Sequence, residues 1–424
     1  YCLPILLGSF TGCGVKPDTS GKTVIRWVVD PAPNRKQEIA GFEKINDKIK
    51  INFDWSSSGN EKVLTQIVGG NPPDLFSIYD PASMITFMRK KSLLDLTPYL
   101  EKHQIPLSDF WPALKPYMYY ENKVYGLPPN CGPLVLFYNK QMFDEMKIPY
   151  PDGTWTWKEL LTAGKKLTKF DSAKKAYQQF GLLSEDPLLF IWQNGGRMFT
   201  PDGKRCIINS PAAKTALKFY YELRFTEHAM PRPQEMQSLQ SVGGWGGSLN
   251  LFAAKKVAMF IQGRWMAMVF RKDKTLTWDI APVPHGKNKV TILYSKVYAI
   301  PTNCKHPDEA FEFLRYLISP ADQLIIAKSG DGIPSRISIA QTPGFLFDPE
   351  FPQEKNNRVY LNEMAHAQVP EFSPYVAAME VNRIMNEETE RMYSQLQTPD
   401  ATLDKIADRI NKQIQDTLSA KTGT

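Results

Sequence analysis

Histidine and cysteine are scarce, with five of each in 424 residues. So few cysteines exclude a dense disulfide scaffold. Cys2, Cys131, Cys206 and Cys304 are widely separated with no C-x-x-C spacing, so zinc and redox motifs have no support; a disulfide among the last three stays open. His103, His228, His285, His306 and His366 form neither H-E-x-x-H nor a pair at helical spacing, and no metal site is expected. The G-x-S-x-G elbow of many hydrolases does not occur. Ser20-Gly21-Lys22-Thr23 ends like a phosphate loop, but Lys16 stands where its first glycine is required. Gly243–Gly247 is glycine-rich, yet Leu249 breaks the G-x-G-x-x-G spacing, so no nucleotide cofactor is expected. No apolar run approaches the roughly 18 residues of a spanning helix. Net charge is only +7, from 51 basic and 44 acidic residues, and the basic residues fall mostly in pairs such as Lys90–Lys91. Without a basic arm or patch, nucleic acid is not an expected partner; an acidic small ligand stays open.

Hydrophobic residues make up 42% and charged residues 22%, ordinary globular usage, and the length suits two or three domains. Val24–Val29 reads as a buried strand, a helix follows from about Arg35 with Ile39, Phe42 and Ile45 on one face, and Ile49, Ile51 and Phe53 alternate as a strand. Val63, Leu64, Ile67 and Val68 form a further helical stripe, and Leu75–Ile78 another short strand. This β-α-β-α-β order predicts α/β layers with a mainly parallel sheet. Thr156 and Glu159 spell a capping box, and Ser210-Pro211 an N-cap followed by a first-turn proline. Beyond about residue 360 everything reads helical, ending in a stripe of Leu403, Ile406, Ile410, Ile414 and Leu418.

Aromatic residues reach 12%, with nine tryptophans. Trp27 and Trp55 lie in or near strands and read as core. Trp192 precedes Asn194-Gly195-Gly196, Trp245 lies between glycine pairs, and Trp265 follows Gly263. One tryptophan at a turn is ordinarily core; three at turns point to flat rings that cover the C–H face of a sugar. Polar residues recur at strand ends: Asp30 and Asn34 after the first, Ser57 and Ser58 after the second, Tyr79 and Asp80 after the third. Each alone is an ordinary cap or turn residue, but open α/β sheets bind ligands at that edge.

The first 12 residues, YCLPILLGSFTG, suit the end of a secretory h-region, and the chain begins at Tyr1 rather than Met. Thr11 and Gly12 before Cys13 resemble the lipobox of bacterial lipoproteins, with Phe10 where leucine is usual. Residues 1–12 are then residual signal peptide, and 13–21 a tether lipid-anchored through Cys13.

Several segments, in order, resemble the extracellular sugar-binding proteins of bacterial ABC importers, the maltodextrin-binding-like class. They are Gly70-Asn71-Pro72-Pro73-Asp74-Leu75-Phe76, Leu93–Leu100 (LLDLTPYL), Tyr125-Gly126-Leu127-Pro128 with Tyr138-Asn139-Lys140, and Thr154-Trp155-Thr156-Trp157. Lys256-Val257-Ala258-Met259 with Gly263-Arg264-Trp265, Ala310–Leu317, and Gly332-Ile333-Pro334-Ser335-Arg336 complete the set, which spans about residues 22–340. Lys255 stands where the family often has glycine, and the tail after 340 carries no matching motif.

The resemblance implies a two-lobe periplasmic-binding-protein fold with a mainly parallel sheet in each lobe and a helical C-terminal region. It implies a first lobe of 22–131 plus 297–338 and a second of 132–296 plus 339–424. Crossings are expected near 130–135, 290–297 and 335–342. It further implies a monomeric, extracytoplasmic, non-catalytic receptor that closes on a carbohydrate and docks on a membrane permease. Matched by position, Trp265 stacks on sugar, with Gly263 before it. Tyr79 or Asp80, Asp30, Asn34, Asn130, Gly132 and Trp192 line the ligand, and Arg336 either bonds it or holds the hinge turn. Ser57, Ser58 and Trp245 join the set from the residue patterns above. Two rival readings remain at this stage: an exported glycoside hydrolase, for which no motif nominates two carboxylates, and the same fold with a polyol, phosphate ester or peptide as ligand.

Overall fold

The computed structural model describes residues 21–239, 250–352 and 354–422. Cys13, the tether up to residue 20, and Trp245 lie outside the described residues. The strands of the first half are β1 (Thr23–Val28), β2 (Ile49–Asp54), β3 (Leu75–Ile78), β4 (Tyr119–Tyr120), β5 (Lys123–Val124), β6 (Asn130–Pro133) and β7 (Val135–Asn139). They continue with β8 (Lys169–Asp171), β9 (Ala176–Ser184), β10 (Val257–Gln262), β11 (Trp278–Ala281), β12 (Thr291–Ser295), β13 (Val297–Ala299), β14 (Ile333–Pro334) and β15 (Ala367–Gln368).

The first lobe is built on a sheet ordered β13-β3-β1-β2, in which β1 pairs parallel with both β2 and β3. Helices Arg35–Ile45 and Asn60–Val68 provide the crossovers that parallel neighbours require. Trp27 sits at its centre, fully buried and edge-on to Tyr298 and Phe313. Trp55 departs from its expected core position. It lies one residue past β2, beyond the last strand pairing, and is 57% exposed.

The second lobe carries a sheet ordered β11-β7-β10-β9-β8. The expectation of a mainly parallel sheet fails here. Only β9 and β10 run parallel; β8–β9, β7–β10 and β7–β11 are antiparallel. The physical reason is connection length: β8 and β9 are joined by a short turn, whereas β9 reaches β10 through long helical connections including Pro211–Phe225. The capping box forms as expected, with Thr156 and Glu159 satisfying each other's backbone amides at the start of Trp157–Leu167.

Between the lobes, β14-β6-β12-β15 form a small sheet of crossing segments. β6 and β12 fall within the first two expected crossings. The third expected range, 335–342, holds no strand: β14 at Ile333–Pro334 precedes it, and Ile337–Ala340 within it is helix. The next helix, Pro343–Leu346, packs back on Pro320–Ser329, with Gly344 against the Leu324 side chain. The tail is not wholly helical either, since Ala367–Gln368 adds a strand beside β12. Helices Ala378–Tyr393 and Pro399–Thr422 then cover the second lobe, with Leu403, Ile406, Ile410 and Ile414 buried. Cys131, Cys206 and Cys304 are free thiols, so the disulfide left open is absent from this structure.

Candidate functional site

Asp30 and Tyr79 leave the carboxyl ends of β1 and β3 and meet the crossing strands in an inner hollow of about 340 Å³. Asn130, Lys296 and Trp265 also face it. Trp265 owes its placement to two glycines. A Cβ on Gly132 would stand 2.7 Å from the ring, and one on Gly263 would stand 2.1 Å from it. Both glycines therefore lie behind the indole as a backing that only a residue without a side chain permits; neither faces the hollow. Tyr294 approaches the ring edge-on at 6.2 Å between centroids.

The floor is a charge network. Arg35 is 1% exposed and reaches Asp30 at 3.0 Å, Glu38 at 2.9 Å and Asp331 at 3.3 Å. Lys296, on the link between β12 and β13, bonds Asp30 at 2.9 Å, and the Tyr79 hydroxyl donates to the same carboxylate at 2.9 Å. Burial alone would raise the Asp30 carboxyl, but Lys296 and Arg35 hold it well below the usual carboxylate range. Burial pushes Glu38 up despite Arg35. Asp30 thus faces the hollow with its oxygens already engaged, and what it offers a ligand is the orientation of Tyr79 and Lys296 around it.

Tyr294 also bounds an outer hollow of about 510 Å³, walled by Asp80 and Pro81 of the first lobe and by Asp186, Glu371 and helix Ala378–Tyr393 of the second. The Tyr294 hydroxyl donates to Asp186, whose carboxyl burial pushes up against that bond and the backbone amides of Leu188 and Leu189. Asp80 caps helix Pro81–Arg89, accepting from the Ser83 amide at 2.7 Å. Glu371 accepts from the Phe199 amide at 3.3 Å. Carboxylates beside an apolar wall of Phe372, Val381 and Met385 suit a ligand with hydroxyls on its edges and C–H groups on its faces. A larger groove of about 1020 Å³ runs beside β11, but its lining comes from Lys140–Glu145, Arg271–Asp279 and the 350–355 segment, away from the crossing strands.

Asp30, Tyr79, Asn130 and Trp265 are thus brought to one hollow, and Asp80 to its neighbour. Other expected ligand residues are placed elsewhere. Trp192 sits inside helix Pro187–Gln193, 2% exposed among Leu189, Phe190 and Ile191, because the helix runs on to Gln193 instead of ending in a loop before it. Asn34 is buried, its amide bonded to Glu38 at 3.3 Å and Asp331 at 3.4 Å, so it serves the charge network. Ser57 and Ser58 form a turn beside Asp54 and Trp55 and line neither hollow. Arg336 bonds Asp109 at 2.7 Å and so holds the turn after β14, resolving its two expected roles toward structure. The sequence reading missed Lys296, Tyr294, Asp186, Asp331 and Glu371. The one legible signal was Lys296, a single charge inside the apolar run ILYSKVYAI.

Comparison with known proteins agrees with this architecture. The galactooligosaccharide-binding protein of Bacillus subtilis is 24% identical over 366 residues, 80% of each chain. The maltooligosaccharide ABC transporter solute-binding lipoprotein of Streptococcus pneumoniae is 25% identical over 338 residues, 76% of this chain and 74% of that one. The solved structure of an ABC substrate-binding protein from Listeria monocytogenes, in complex with cycloalternan, superposes with a TM-score of 0.81 at 25% identity, covering 93% of this chain and 99% of that one. The profile of bacterial extracellular solute-binding proteins matches residues 29–324, and the chain belongs to that family.

Proposed function

We propose that this chain is a receptor that binds a sugar or oligosaccharide between its lobes and delivers it to an ABC permease without chemical change. One observation carries the reading: both hollows are walled by the two lobes, share Tyr294, and one presents a tryptophan backed by Gly132 and Gly263. A ligand seated there touches both lobes, and only such a ligand favours the closed state over the open one. The names of the relatives, which bind galacto- and maltooligosaccharides, and the bound cycloalternan support a carbohydrate. The lobes are taken as 22–131 plus 297–338 and 132–296 plus 339–424, hinged on β6, β12 and β14. The receptor acts as a monomer outside the cytoplasm, in the periplasm or on the outer face of the cell membrane. Its lipid attachment at Cys13 is supported by lipoproteins among the relatives; the precursor should leave the membrane fraction on Cys13→Ser.

The direct test is a thermal-shift screen against maltotriose, mannotriose, galactotriose and cycloalternan, with sugar phosphates and peptides beside them. A ligand at 100 times its Kd adds about 2.7 kcal/mol of apparent stability. At least one saccharide should raise the melting temperature; a response confined to the phosphates or peptides would sink the sugar reading.

A further inference from the structure

The ligand-facing edge of the first lobe carries one large side chain that neither hollow accounts for. Asp54 pairs in register with Val28, so Trp55 leaves the sheet at the same carboxyl edge as Asp30 and Tyr79. A tryptophan 57% exposed forgoes much of what its burial is worth. Among the described residues no aromatic ring stacks on it.

Its turn is nonetheless fixed. Asp54 accepts from the Ser56 hydroxyl at 2.8 Å and the Ser57 amide at 3.1 Å, and the Ser58 amide donates to the Trp55 carbonyl at 3.2 Å. Helix Asn60–Val68 follows directly, and the Asn60 amide bonds Asp80 at 3.3 Å and Ser83 at 2.7 Å. Asp80 is a wall of the outer hollow. The end of the loop bearing Trp55 is therefore tied, through Asn60, to the residue that forms the first-lobe wall of that hollow. On the second-lobe wall, helix Ala378–Tyr393 lines the hollow through Ala378 and presents Met379, 62% exposed, in its first turn.

We propose that Trp55 is the first lobe's sugar-stacking aromatic, covering a ring held in the outer hollow when the lobes close. It complements Trp265, which faces the inner hollow, so that a saccharide spanning both hollows meets one tryptophan at each. The occupant is a sugar face because the loop is tied to the wall of the hollow and because carboxylates around that hollow suit hydroxyl edges. This inference rests on the cleft being the carbohydrate site.

The test titrates wild type and Trp55→Ala calorimetrically with maltotriose, mannotriose, galactotriose and cycloalternan, and melts both proteins without sugar. Trp55→Ala should weaken the saccharide that wild type binds by roughly tenfold or more, as for an aromatic anchor. Its ligand-free melting temperature should stay near that of wild type, because the ring is not core, and Trp55→Phe should recover most of the affinity. Unchanged affinity in Trp55→Ala, with wild type binding normally, overturns the inference and leaves the receptor reading standing. Failure of wild type to bind any of the four sugars would instead remove the cleft reading, and this inference with it.

Discussion

Tryptophan shows how little a residue's neighbours in sequence decide about its side. Trp192 and Trp265 both stand beside glycines, yet one is core and the other half-buried at the hollow. Trp192 is committed by the helix that contains it, while Trp265 follows a strand end and lies on two glycines. Trp265→Ala should therefore lower saccharide affinity by roughly thirtyfold, the equivalent of about 2 kcal/mol for a central aromatic anchor. Its ligand-free stability should fall by less than the roughly 3–5 kcal/mol of a core tryptophan truncation. Calorimetric titration beside denaturant unfolding decides: near-normal affinity with a badly destabilised fold would make Trp265 a core residue. That Trp265 stands at a turn was legible because Gly263 precedes it closely; the backing from Gly132, 133 positions away in the chain, was not.

Elements were legible where their signal is local. The helical stripe at 63–68, the strand at Leu75–Ile78 and the Thr156–Glu159 capping box all rest on spacings within one or two turns, and all form. Pairing direction in the second lobe was not legible, because an alternating or buried run looks alike in parallel and antiparallel sheets. The strand β14, just before the third expected range, was not legible for a related reason. Gly332 has φ +84° and a virtual Cβ 2.8 Å from the Cys131 carbonyl, so the chain turns into β14 at a close backbone approach that nothing in the local pattern announces. Likewise the extended stretch at Ala367–Gln368 exists only because β12 offers it an edge.

For the molecule as a whole, the crossing strands make relative motion of the lobes the expected response to ligand. Small-angle scattering with and without a saccharide identified by the thermal screen should give a smaller radius of gyration in the bound state. An equal radius in both would mean a preformed pocket and no hinge closure.

The ordered motifs between residues 22 and 340 sufficed to determine the family and the two-lobe α/β architecture. Those properties are carried by short-range patterns, each readable within a few residues. Only the tertiary structure decided which polar residues face the cleft. Asp30 and Arg35, Lys296, and Asp331 are brought together from three separate places in the chain, and once together they satisfy one another. It also decided that Asn34 and Arg336 serve the scaffold, that Asp186 and Tyr294 form a half-buried pair, and that Trp55 stands in the open. The physical reason is that a side chain's partners are set by contacts between residues up to 297 positions apart, as between Asn34 and Asp331, and no local spacing encodes them.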